Sequence, residues 1–161
     1  MCFEYLGIPN PTPSLQFEDY LEQHRKDKKY GARTASETRR KIAVDLGVKY
    51  EILIYDESNP ISEQNSKAQL LSKLKEGCAV MLSVWPVCKG HLVRLQDVTD
   101  SGLIVDDPYG KVTNFETREN CGSGGYDANS ETAAGSKGKD NLWKWEDIEG
   151  ITIKYAEIYC K

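Results

Sequence analysis

The sequence predicts an α+β fold with N-terminal helices packed on a mostly antiparallel sheet. Three observations carry this. Helical patterns fill the first half of the chain and strand patterns the second, without the alternation that builds parallel sheets. The run Cys78 to Trp85 is almost continuously apolar, as a central buried strand requires. The stretch from Gly90 to Gly110 reads as a β-hairpin about Asp100-Ser101-Gly102, where glycine supplies the positive φ of a tight turn.

The elements follow in order. Met1 to Gly7 reads as the last turns of a helix, with Gly7 at its C′ position and Pro9 stopping it. So short a helix is marginal alone, which leads us to expect a natural start upstream. Thr12 and Pro13 suit an N-cap and first helical position, predicting a helix from about Pro13 to Lys26, with Gly31 ending the region. Thr34-Ala35-Ser36-Glu37 fits a capping box opening a helix that stops at Gly47. Val48 to Tyr55 reads as a strand with Tyr50, Ile52 and Ile54 on one face. Ser62 to Glu76 is a helix with Ala68, Leu71 and Leu74 on one face and Gly77 as C′. Lys111 to Phe115 suggests a short strand. Glu116 to Asn141 is rich in Gly, Ser, Asn and Thr and reads as a long loop of the kind that often forms lids. A helical turn before Gly150 carries Trp143, Trp145 and Ile148 inward, and Ile151 to Tyr159 is the final strand.

Composition narrows the function classes. The 161 residues fit one domain spanning 1–161, 39% apolar and 29% charged, as in soluble globular chains. A net charge of −4 and the lack of a basic patch argue against nucleic acid as a partner; the run from Arg25 to Lys29 is a solvated helix end. No apolar run reaches transmembrane length. Five cysteines without paired short spacing suggest neither a disulfide scaffold nor a zinc site. Asp97, Asp100, Asp106 and Asp107 lack the spacing of a dedicated calcium loop, so no metal or cofactor is expected.

The hairpin carries the candidate chemistry. Folding about Gly102 makes Val98 and Leu103 flank the turn and brings His91 and Asp107 out near each other at the open end. A carboxylate fixing an imidazole is the base half of a nucleophilic triad. Asp106 is the neighbour of Asp107 on the opposite strand face, so only one of the two can face His91 unless a bulge intervenes. The plain alternatives are an ordinary histidine and an Asp-Pro turn. His24 reads as an exposed helix residue, and the three tryptophans as core, with Trp85 placed to line a cleft near His91.

Gly90-His91 followed by apolar residues, then a strand ending in Asp107-Pro108-Tyr109-Gly110, resembles the C39-like cysteine peptidases of the papain-like fold. Met1 to Gly7 is similar to the second half of that family's nucleophile helix, and the resemblance covers nearly the whole chain except Glu116 to Asn141. It implies that His91 is the general base and that Asp107, 16 positions later, orients it. It places the nucleophilic Cys about seven residues upstream of Met1, preceded by an oxyanion-hole Gln, judging from the helix pattern. Cys2 sits at the wrong end of that helix, Cys88 too close to His91 in sequence, Cys78 and Cys160 in apolar strands as small core residues, and Cys121 in the polar loop without a role. The implied substrates are peptides or peptidoglycan-like cross-links, and the chain as printed is expected to be inactive. The alternative is a non-catalytic papain-like module binding peptide or glycan. Self-association through the apolar surface beside a truncated N-terminus is expected, and secretion if a signal segment precedes Met1.

Overall fold

The computed structural model describes residues 2–56, 58–84, 91–107, 110–112, 126–127, 131–132, 136–137, 139–148 and 153–161, the three dipeptides as backbone only. In chain order the elements are α1 (Cys2–Tyr5), α2 (Phe17–Asp27), α3 (Ser36–Asp45), β1 (Lys49–Ile54), α4 (Glu63–Lys75), β2 (Ala79–Val84), β3 (His91–Val98), β4 (Gly102–Asp106), β5 (Lys111–Val112), β6 (Tyr126–Asp127), β7 (Glu131–Thr132), β8 (Ser136–Lys137), β9 (Asn141–Lys144), α5 (Trp145–Ile148) and β10 (Ile153–Cys160). Six strands form one antiparallel sheet, ordered β1-β10-β2-β3-β4-β9, confirming the α+β class. The pairs β5–β6 and β7–β8 lie outside it, so the stretch expected to be one long loop carries short ladders. Among the described residues no helix is long and apolar enough to cross a membrane.

Strand pairing sorts the core onto two faces. Val80, Leu82 and Val84 of β2 pair with Leu95, Val93 and His91, and Ala156 and Ile158 of β10 share that face. With Leu70 of α4, the buried Trp143 and Trp145, and Ile148, they form the larger core. On the other face Ala79 and Tyr159 are buried with Cys2 and Leu6 of the α1 region and Ala43 of α3. β2, central and buried on both sides, reads as an apolar run broken only by Ser83.

Several local expectations are corrected. α2 starts at Phe17, not Pro13: Asn10 closes the preceding turn, its Oδ1 accepting from the Thr12 N–H at 3.0 Å and its Nδ2 donating to the Leu15 carbonyl at 2.8 Å. The capping box does not form. The N-cap of α3 is Ala35, and the Glu37 carboxylate is taken by Arg40 at 2.8 Å. On α4 the inward residues are Ser66 and Leu70 with Leu71 and Leu74 beside them, while Ala68 is exposed. On the edge strand β1, Ile52 and Ile54 face solvent. Trp143 sits on β9 rather than in a helical turn.

The helix ends share one device. At Gly7, Gly47 and Gly77, all at positive φ, the next residue's N–H bonds back to the carbonyl five positions earlier (Ile8 to Phe3, Val48 to Ala43, Cys78 to Lys73), the Schellman pattern. α2 ends the same way, but with Lys29 at φ 53 rather than at Gly31. Gly102 answers a different demand: at φ 155, a Cβ there would meet the Trp143 carbonyl oxygen and approach Lys144 Cα at 2.7 Å, so only glycine lets β9 pair with β4.

Cys78 and Cys160 are not free core residues; they form a disulfide with Cα atoms 4.4 Å apart. The Ala79–Tyr159 pair brings them together. Their separation of 82 positions hid the pairing from a reading based on short spacings.

Candidate functional site

His91 opens β3, and Asp107 immediately follows β4. How they meet depends on one extra residue. Near the turn, Val98 pairs with Leu103 and Asp97 with Ile104; beyond Gln96 the register shifts, so Leu95 pairs with Val105 and Arg94 with Asp106. Gln96 is the bulge. Without the shift, Asp106 would stand opposite Leu95 on the face of His91. With it, continuing the register sets Asp107 opposite Val93 on that face. His91 is then its diagonal neighbour, roughly 7–8 Å away along the backbone and within reach of two side chains.

The contact is made. His91 Nε2 donates to Asp107 Oδ1 at 2.6 Å, with Asp107 fully buried and His91 9% exposed. A short bond to a buried carboxylate is charge-assisted whenever the ring is protonated. The carboxylate's backbone is also fixed: the Asp107 carbonyl accepts from the Gly110 N–H at 3.0 Å, and the Gly110 carbonyl accepts from Asn141 Nδ2 at 3.0 Å. With Nε2 engaged, proton exchange with a reacting group runs through Nδ1.

Asp106, on the opposite face, has a structural task. It accepts from Arg94 Nε at 3.0 Å, from the Gln96 amide and from the Asp140 N–H at 3.2 Å, while the Tyr5 ring lies 5.5 Å from the Arg94 guanidinium. Neither Gln96 nor Asn141 stood out in the sequence. A bulge has no residue signature, and Asn141 acts from 31 positions away.

The described cysteines supply no partner for His91. Cys2 is 6% exposed and burial pushes its thiol up to about 11, against the thiolate a nucleophile needs. It also lies with α1 on the sheet face opposite His91. Cys78 and Cys160 are bonded to each other. Cys88, Cys121, Trp85 and Pro108, together with most of the expected lid, lie outside the described residues.

A second histidine–carboxylate pair was not expected. His24 is not an exposed bystander: its side chain is 16% exposed and its Nε2 bonds Asp45 Oδ2 at 2.8 Å, which also accepts from the Tyr30 hydroxyl at 2.8 Å. Hydrogen bonds from His24 and Tyr30 hold the Asp45 carboxyl below its usual value. This group clasps α2 to α3.

No family model, no curated protein and no solved structure matches this chain.

Proposed function

We propose that His91 and Asp107 are the base and its orienting carboxylate in a C39-like cysteine peptidase domain of papain-like fold, acting on peptide or peptidoglycan-like amide bonds. The 2.6 Å bond between His91 Nε2 and the buried Asp107 carboxylate carries this reading. His91 would take the thiol proton on Nδ1 and return it to the leaving amine, and Asp107 would hold the ring's tautomer. The thiol would have to be one other than the described Cys2, Cys78 and Cys160. The Cys78–Cys160 bridge supports an oxidising compartment.

One observation favours a second reading, a non-catalytic module binding peptide or glycan: none of the described cysteines is an accessible thiol beside His91. The coding sequence ahead of Met1 separates the two. A Gln followed by a Cys at a helix start supports the peptidase; another residue in the Cys position supports the module. On a chain carrying those residues, iodoacetamide should alkylate one cysteine rapidly at neutral pH, with the rate lost in His91→Ala. Alkylation indifferent to His91 would remove the enzyme reading.

A further inference from the structure

On the sheet face away from His91, a cavity of about 290 Å³ opens between α2, α3 and the start of α1. It lies just below the roughly 300–1,000 Å³ range of ligand pockets. Phe3, Leu21, Ile42, Met81 and Tyr159 make its walls apolar. Phe3 packs edge-on to Tyr159, with centroids 5.6 Å apart, and Tyr159's hydroxyl is turned away to Glu157 at 2.7 Å, so the ring presents carbon.

Its charged residues are mostly committed. Arg39 gives its guanidinium to Glu157 (2.7 Å), the Tyr155 hydroxyl and the Arg33 carbonyl. Arg25 holds Glu22 at 2.8 Å from two nitrogens and also donates to the Tyr30 and Gly31 carbonyls. Arg33 differs. It lines the same cavity, is exposed, and among the described residues its guanidinium has no carboxylate partner. An apolar chamber with one uncommitted fork of donors matches a ligand with an apolar body and a terminal carboxylate, because arginine binds that group bidentately.

We propose that this cavity binds a small apolar carboxylate, a medium-chain or aromatic acid, with the carboxylate on Arg33 and the apolar body against Phe3, Ile42, Met81 and Tyr159. Glu18 and Glu22 also face the cavity. They disfavour an anion seated on their side and so confine the head group to the Arg33 side. None of the cavity's lining residues takes part in the His91–Asp107 pair.

The test uses the chain as it stands. Anilinonaphthalene sulfonate, an aromatic anion, serves as the fluorescent probe, with octanoate and neutral octan-1-ol as competitors. The expected result is saturable binding at one site, displaced by both. Arg33→Ala, at an exposed position, should weaken octanoate about tenfold, the size of one charge-assisted hydrogen bond, and leave octan-1-ol unchanged. Leu21→Trp should block all three by filling the chamber, with thermal unfolding confirming that both variants are folded. Absence of saturable binding, equal weakening of octanoate and octan-1-ol by Arg33→Ala, or binding untouched by Leu21→Trp would each overturn the proposal.

Discussion

Removing the Cys78–Cys160 bridge should cost this chain a large share of its stability. The bridge closes a loop of 82 residues. In the chain-entropy treatment that constraint removes about 15 cal/mol/K from the unfolded ensemble, or about 4.5 kcal/mol at 25 °C. Domains of ordinary stability have about 5–15 kcal/mol in all. The constraint acts on the unfolded chain, because the Ala79–Tyr159 pair already aligns β2 and β10 in the folded one. The assay is urea unfolding of the native chain and of Cys78→Ala/Cys160→Ala, each followed by circular dichroism. With a slope of about 2 kcal/mol/M, the midpoint should fall by about 2 M. The non-reduced digest of the native chain should also yield one peptide pair joined through Cys78 and Cys160. A midpoint shift below about 0.5 M at unchanged slope, or a digest yielding both cysteines alkylated without reduction, would refute the reasoning.

Four further outcomes are expected. Lys29→Gly should stabilise the chain by about 1 kcal/mol in thermal unfolding, because Lys29 holds φ 53 where side chains are strained. Arg39→Met should cost about 3–5 kcal/mol by chemical denaturation, leaving the fully buried Glu157 with hydroxyl donors from Tyr50 and Tyr159 and no cation; adding Glu157→Gln should recover much of it. Long-range nitrogen–proton NMR should find neutral His91 as the Nε2–H tautomer, since Asp107 accepts from that nitrogen, and Asp107→Ala should mix the tautomers. Asp45 is held low in the folded chain, so its contribution is present above its unfolded value near pH 4 and is lost as pH falls through the folded one; Asp45→Asn should therefore flatten the acid limb of the stability–pH curve, and an unchanged limb would count against the clasp.

What the sequence made legible follows from range. The hairpin was readable because its signals are local: two apolar strand stretches either side of an Asp100-Ser101-Gly102 turn. The central strand was readable because burial on both faces leaves an apolar run interrupted only by Ser83. The helix ends at Gly7, Gly47 and Gly77 were readable because each is marked by a local glycine, whereas the start of α2 was placed too early because Asn10, not Pro13, organises the turn before Phe17. The features that escaped join distant positions. Cys78 meets Cys160 across two strands, Arg39 meets Glu157 from α3 to β10, and His24 meets Asp45 between helices. None leaves a pattern within a window, since each side chain alone looks like an ordinary core or surface residue.

The pairing of His91 with Asp107 belongs to both groups. Its place in the hairpin is local, but the choice between two adjacent carboxylates is not. An unbroken ladder from the Val98–Leu103 pair would turn Asp106 toward His91 and set Asp107 against Arg94. The bulge at Gln96 reverses both assignments. The same extra residue lets Leu95 and Val98, three positions apart, both enter the larger core. Core packing and the His91–Asp107 contact thus ask for the same register. The Gln96 side chain, bonded to Asp106, holds the second carboxylate on the far face with Arg94. A spacing of 16 residues between a histidine and an aspartate does not by itself make a dyad. Here it does so because one inserted residue in β3 sets which carboxylate the histidine meets.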